Sequence, residues 1–337
     1  MLIAIDAAMS LKSIIYNSVT IPVRYLSNLV DTPAVIFIYH RVTNLKIDTH
    51  RLAVSPDNFN EQISYLKKKY NLVSADEFVN LLQSKKKFPK RTALLTFDDG
   101  YADNYLEALP ILETNNAQAI FYITTSNLNT DNELWWDELE RILLTDVKLP
   151  SQLIIDVDGK SFSYDTSTIG ERNKTYFKLH PLLKWEFPLQ RENSLEQLRK
   201  QANVSPQGRT SHRMMTHDEL KKMYTSKSAV IGAHTYSHSP LSLFNKEEQL
   251  NEMKKSKDFL DQLLNTKIEH ASYPFGSKKD FNSDSIEVCK ALNFKMTCAN
   301  YYNQVHTWSN IQALPRVLVR DWDMNEFKKQ IEIFYCC

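Results

Sequence analysis

Glycine is scarce, at six residues in 337. Neither G-x-G-x-x-G nor G-x-x-x-x-G-K-[ST] occurs, which removes the backbone cradles that dinucleotide and triphosphate sites need. Cysteine is rarer still: Cys289, Cys298, Cys336 and Cys337, with no C-x-x-C pair. That excludes a zinc ribbon and a disulfide framework, and a reducing compartment is expected. The terminal Cys336-Cys337 lacks a prenylation pattern. Charge of one sign is also missing. Lys and Arg total 41 against 40 Asp and Glu, a net charge of +1, so no nucleic-acid partner is expected. No apolar run approaches the ~18 residues of a transmembrane helix. The best, Ala34–Tyr39, is strand-length. The N-terminus lacks a secretory pattern. Residues 9–30 can form an amphipathic helix that either packs on the body or lies on a membrane surface. The expected location is the cytoplasm, with packing on the body the favoured role of that helix and peripheral membrane contact the alternative.

What is present is a globular mixture, 42% hydrophobic and 24% charged, long enough for one large domain with an insertion. Short apolar runs alternate with helical patterns. Strands are expected at Val35–Tyr39, Ala93–Phe97, Ala119–Thr124, Ala229–Ala233, Ala271–Pro274, Phe294–Cys298 and Arg316–Val319. Helices are expected at Asp57–Tyr70, after Ser74, and at Asn104–Asn115, Lys246–Leu264 and Ser283–Leu292. This order implies a parallel sheet with helices outside, either a closed or nearly closed barrel or an open doubly wound sheet. Residues 125–228 break the rhythm and read as a rim insertion. The insertion carries a helix at Trp135-Trp136, a hairpin over Leu153–Tyr164 turning at Asp158-Gly159, and a helix over Tyr176–Arg199.

Three segments carry chemistry, each at the end of an expected strand, where the loops of a parallel barrel converge on its active site. Thr96-Phe-Asp-Asp-Gly100 brings two adjacent carboxylates, which repel unless a cation or proton intervenes. The same letters also make an ordinary turn. Gly232-Ala-His234-Thr-Tyr-Ser-His238 brings two imidazoles four residues apart, able to meet one metal from a helical turn or a folded loop. Together they suggest a metal held by two His and one Asp with open positions, a set that suits Zn2+ and also admits Fe2+, Co2+ or Mn2+. The other Asp is then free to act as general base. Tyr39-His40-Arg41 puts a third imidazole on the same rim, either donating a proton to a departing amine or packing its ring. Ser272-Tyr273-Pro274-Phe275-Gly276 reads as a rigid aromatic-walled loop or a simple turn. Arg316, Arg320 and Trp322 flank the last strand, to orient a group and wall the site or to form a surface pair and cap. Among the remaining histidines, His180 reads as part of an apolar helical stretch, and His50 has no evident partner.

These residues resemble the polysaccharide deacetylases, the NodB-homology domain of carbohydrate esterase family 4. Thr96–Tyr101 is similar to the family's first motif, which implies Asp98 as general base and Asp99 as metal ligand. His234–His238 is similar to the second, implying both imidazoles as ligands. Tyr273, Pro274 and Phe275 match the groove-forming third motif, and Trp322 the apolar wall of the fourth. The third-motif Arg that tethers the catalytic Asp is replaced by Ser272, leaving Arg316 and Arg320 as candidates. The usual C-terminal Leu-His motif is absent. In a branch acting on exported polysaccharides the acid lies in an N-terminal Tyr-His context, which implies His40. Trp135–Glu138 and Arg213–Thr216 resemble members associated with bacterial surface-polysaccharide biosynthesis.

The resemblance implies a distorted (β/α)7–8 barrel over 34–325 with the 125–228 insertion, a helical extension at 1–33 and a helix or tail at 326–337. The implied activity is metal-dependent hydrolysis of N-acetyl groups from amino sugars in a polysaccharide or its lipid-linked precursor, with Zn2+ as cofactor. A backbone N–H near Tyr101 is expected at the oxyanion. The competing readings are an O-deacetylase or deformylase on the same metal site, and a silent carbohydrate-binding module.

Overall fold

The computed structural model describes residues 26–157 and 159–335. Most of the expected 1–33 extension and of the 9–30 amphipathic helix lies outside these residues, as do Asp158, Cys336 and Cys337. Among the described residues no helix is long and apolar enough to cross a membrane.

Twelve strands are described: β1 Val35–Tyr39, β2 Arg41–Val42, β3 Ala53–Val54, β4 Asn71–Leu72, β5 Thr92–Phe97, β6 Ala119–Ile123, β7 Gln152–Val157, β8 Lys160–Asp165, β9 Ala229–Ala233, β10 His270–Ser272, β11 Met296–Cys298 and β12 Val317–Leu318. Seven form a curled, all-parallel path in the order β11-β10-β9-β6-β5-β1-β12, and β4 pairs with the start of β5. Strands β1, β5 and β6 are buried along their whole length. Such unbroken apolar runs mark strands covered on both faces. The two edges of the curl are joined by the chain before β12. Leu314 bridges Cys298 in parallel, and Ala299 N–H donates to the Leu314 carbonyl at 2.8 Å. The fold is a distorted (β/α) barrel.

Outer helices cover the curl with periodic apolar faces. In Pro56–Lys69 the buried set is Phe59, Gln62, Ile63 and Leu66, and Ser55 caps the start by accepting from Asn58 N–H. Ser74 caps Ala75–Gln83 through Glu77 N–H. The last helix, Met324–Tyr335, buries Phe327, Ile331 and Phe334 and sets Phe327 against Phe37 at 6.3 Å between ring centroids. It is part of the barrel wall.

Two helices differ from expectation because of proline. Asn104–Asn115 begins as a π-helical stretch over Asn104–Ala108 before the α-helix Leu109–Thr114. Pro110 has no N–H and crowds the preceding turn, which widens. The expected helix over Tyr176–Arg199 is two, Ile169–Lys184 and Pro188–Ala202. Phe187 precedes Pro188 and is held extended at φ −60° and ψ 151°, because the proline ring closes the α region to it, so the helix cannot run through.

The β7–β8 hairpin forms its own sheet within the insertion. It is tied to the Pro188–Ala202 helix by Gln201 and Gln197, which accept from Ile154 and Asp156 N–H at 2.8 Å each.

Gly232 in β9 shows how tightly the curl is wound. A Cβ there would meet Tyr122 Cδ1 at 2.5 Å and the His270 carbonyl oxygen at 3.0 Å. Gly232→Ala is expected to lower stability by about 1–3 kcal/mol, the usual range for overpacking a core. Equilibrium urea denaturation checks this.

Candidate active site

The C-terminal ends of β1, β5, β9 and β10 deliver His40, Asp98-Asp99, His234 and Ser272 to one rim. Adjacent side chains of a strand face opposite ways, so both aspartates can reach one site only through a bend. Asp99 has φ +78° and Gly100 φ +94°. A non-glycine residue in that region is costly and must be held by its surroundings. Thr124 N–H donates to the Asp99 carbonyl at 3.1 Å, and Met215 N–H to that of Gly100 at 3.1 Å. The His234–His238 segment is a folded loop, with Thr235 at φ +62° and His238 at φ +51°. His238 N–H donates to Thr235 Oγ1 at 3.1 Å.

Asp99, His234 and His238 each offer a ligand atom within 4.8 Å of the others, and all three are buried. His238 Nε2 lies 3.1 Å from Asp99 Oδ1, and His234 Nε2 lies 3.6 Å from it. Neither Asp99 oxygen has a hydrogen-bond partner. A buried carboxylate without donors is costly unless a cation meets it. His234 Nδ1 is 3.0 Å from the Ser272 carbonyl oxygen and 2.6 Å from Ser272 Oγ. The carbonyl can only accept, so Nδ1 carries the proton and Nε2 faces Asp99 with its lone pair, as a metal-binding imidazole requires. Burial pushes His234 down to about 4 and His238 to about 3. Burial also raises the Asp99 carboxyl. The donor set, its orientation and its unmet charge fit a divalent cation.

Asp98 is handled differently. Arg316 grips it with two bonds, Nη1 to Oδ1 at 2.7 Å and Nη2 to Oδ2 at 2.6 Å. Arg316 is itself fixed by its Nε donating to the Ala299 carbonyl at 2.7 Å. Burial alone would raise Asp98, but the adjacent guanidinium, with His234 beyond it, holds the carboxyl well below the usual range. Of the two arginines considered as tether, Arg316 therefore reaches Asp98. Arg320 turns instead to the carbonyls of His50 and Arg51. His40 lines the same cavity, its Nδ1 buried without a partner. Burial lowers its pKa, against the pull of Asp99 and Asp98.

The cavity measures about 300 Å3. Phe275 and Trp136 line its inner part, with ring centroids 4.9 and 4.5 Å from that of His238. Tyr101, Tyr273, Pro274, Arg316 and Trp322 do not line it. Tyr101 donates its hydroxyl to Asp137 at 2.6 Å. Tyr273 stacks on Phe281 at 4.5 Å and donates to the Gln312 carbonyl. Trp322 packs part-buried against the core. Of the aromatic residues expected to wall the site, Tyr273, Phe275 and Trp322, Phe275 lines the cavity, and Trp136 from the insertion joins it. His50 and His180, read as bland, also line the cavity, with ring centroids 4.5 Å apart. The adjacent Trp135-Trp136 pair is the signal in the sequence for the part of the wall that comes from the insertion.

The sequence pattern of the polysaccharide deacetylases matches residues 85–151 and 194–297, just over half of the chain. The chain belongs to the polysaccharide deacetylase family. Residues 152–193, which hold the hairpin and the Ile169–Lys184 helix, fall outside the match. The curated Bacillus subtilis (strain 168) protein YxkH is 22% identical over 144 residues, 42% of this chain and 50% of that one. The chain thus spans about half the length of the curated relative it matches. Two solved structures share the fold of this polysaccharide deacetylase family member. Streptococcus pyogenes deacetylase PplD, in complex with acetate, has a TM-score of 0.58 at 19% identity, over 89% of this chain and 98% of that one. IcaB from Ammonifex degensii has a TM-score of 0.56 at 16% identity, over 90% and 97%.

Arg316→Gln leaves Asp98 buried without its partner and is expected to cost about 3–5 kcal/mol. Asp98 ionises below the ~3.9 of an unfolded chain, so its stabilisation is complete above about pH 4 and is lost as the pH falls further. Denaturation midpoints followed through that range should show the variant's deficit narrowing in acid. For metal-free protein a second acid effect is expected. Unfolded imidazoles take up protons below about pH 6.5 that buried His234 and His238 refuse, so stability should fall from there toward pH 4.

Proposed function

We propose that this chain is a metal-dependent N-deacetylase of amino sugars in a surface polysaccharide or its lipid-linked precursor. The observation that carries the reading is the separate treatment of two adjacent carboxylates: Asp98 is locked to Arg316, while Asp99 is left bare between two neutral imidazoles. Asp99, His234 and His238 would hold a divalent ion, and the two-imidazole, one-carboxylate set favours zinc. The chemistry such an ion supplies when bound is Lewis-acid polarisation of the acyl carbonyl and acidification of water.

The remaining steps belong to the chain. Asp98 stays ionised at any working pH, because Arg316 opposes its protonation, and it takes the proton from the attacking water. Arg316 also fixes the carboxylate in one orientation, so little reorganisation is needed during attack. His40 gives a proton to the amine as the C–N bond breaks. An amine is a poor leaving group unless protonated, and a proton donor on this rim favours amide over ester substrates. Phe275 and Trp136 shelter the acetyl group from water. That PplD was solved with acetate, the acid this reaction would release, supports the acyl group chosen. The match to the sequence pattern of the polysaccharide deacetylases supports a polysaccharide substrate.

Acetate release from an N-acetylhexosamine oligomer, measured beside O-acetyl and N-formyl substrates, tests the proposal. Release from the O-acetyl substrate alone would overturn the amide reading. Asp98→Asn is expected to lower kcat by about 10²–10⁴-fold with metal content unchanged. His234→Ala is expected to lose both, and full metal content in that variant would overturn the ligand assignment. Activity should decline on the alkaline side as His40 loses its proton, and His40→Gln should abolish that limb.

A further inference from the structure

The outer half of the active-site cavity carries a charge that neither the metal centre nor its proton transfers use. Of the three acids lining the cavity, Asp98 is matched by Arg316, and Asp280 by Lys184 at 2.6 Å. Asp99 belongs to the candidate metal site. Arg320 remains. It lines the cavity half-buried, and among the described residues no carboxylate lies within ion-pair distance of it. Its guanidinium donates to the main-chain carbonyls of His50 and Arg51, which engage one nitrogen, Nη1, and leave the charge uncompensated. Asp48 pulls on it from a distance, but that carboxylate is taken by the N–H groups of Leu52 and Ala53 at 2.9 Å each. Burial and the neighbouring Arg51 lower the Arg320 pKa, the mark of a cation short of a partner.

Arg320 stands at one end of a continuous wall. It holds His50, whose ring packs on His180. One turn along the same helix from His180 comes Lys184, whose ammonium lies 4.2 Å over the Phe275 ring. Phe275 in turn touches His238. The wall thus runs from an unpaired guanidinium to the metal ligands within one cavity, and His180 and Lys184 come from the insertion.

We infer that this wall ends in an anion subsite: Arg320 holds a carboxylate or phosphate carried by the sugar whose acetyl group sits at Asp98 and Asp99. The reason is chemical. A guanidinium presents a planar fork that two oxygens of such a group can meet, and desolvation inside a cavity strengthens that pairing. The inference rests on the proposed reading of the cavity as a sugar site, and it narrows the substrate class from amino sugars in general to acidic ones.

Equilibrium binding to the full-length, metal-loaded protein tests it. The probes are N-acetylglucosamine, its 1-phosphate, and N-acetylmuramic acid as the carboxylate arm. The quantity read is the ratio of neutral to acidic dissociation constants, compared among the unaltered protein, Arg320→Gln and Arg320→Lys. Any direct contact of the anion with metal contributes to all three proteins alike, and any general loosening of the site weakens both kinds of sugar. The unaltered protein is expected to favour at least one acidic sugar by about tenfold or more, the worth of one charge-assisted bond. Arg320→Gln should bring the ratio near one, and Arg320→Lys should restore part of it. A ratio near one in the unaltered protein, or one that Arg320→Gln leaves intact, overturns the subsite. Acetate measured in the same samples separates the two readings: its absence with every sugar counts against the deacetylase, not against the subsite.

Discussion

Two negative charges side by side in a buried site can persist only if each is answered by a different positive group. Asp98 and Asp99 are that pair, and the rim of the barrel is organised around keeping their answers apart. Arg316 meets Asp98 with both of its terminal nitrogens. The Asp99 carboxylate receives no hydrogen bond and faces two imidazoles that burial keeps neutral. Had both carboxylates found arginine, no place for a cation would remain. The left-handed backbone at Asp99 and Gly100 is the local cost of this separation, and the hydrogen bonds from Thr124 and Met215 hold it.

The barrel's incomplete closure and the placement of Arg316 are one feature. The chain between β11 and β12 crosses the open seam, pairing Leu314 with Cys298. Arg316 N–H then reaches the Tyr301 carbonyl at 3.2 Å, and its Nε the Ala299 carbonyl at 2.7 Å. The guanidinium therefore enters the site from the seam itself, across to the end of β5. The Ser272 position, where the family pattern puts its arginine, is left for a smaller role. Its hydroxyl and carbonyl both face His234 Nδ1, which keeps Nε2 turned to Asp99.

The insertion acts on the site from the other side. Trp136 walls the cavity beside His238. Arg191, on the Pro188–Ala202 helix, donates to the Ser237 carbonyl and the Ser239 hydroxyl, on either side of His238. Glu252 holds the same loop from the outer helix by accepting from Ser237 N–H and Oγ at 2.9 Å. A loop with two left-handed residues is thereby clamped between an insertion and a barrel helix, so the second imidazole owes its position to both.

Local pattern was enough for the strands, because a parallel strand buried on both faces is an unbroken apolar run, as at Val35–Tyr39 and Ala229–Ala233. It was enough, too, for the nearness of Asp99, His234 and His238, because each follows such a strand and parallel strands end together. It failed where prolines act on their neighbours, as at Phe187-Pro188, and where aromatic residues had to be assigned a direction. Tyr273 and Phe275 sit two residues apart in one loop, yet one stacks in the core and the other lines the cavity. Which arginine would reach Asp98, and that His50 and His180 would meet, depended on segments more than a hundred residues apart along the chain. The sequence by itself determined the sheet and the donor types at its rim, since both follow from periodicity and strand ends. Only the tertiary structure decided which charges are paired and which left open, since pairing is a matter of distance through space that no local spacing encodes.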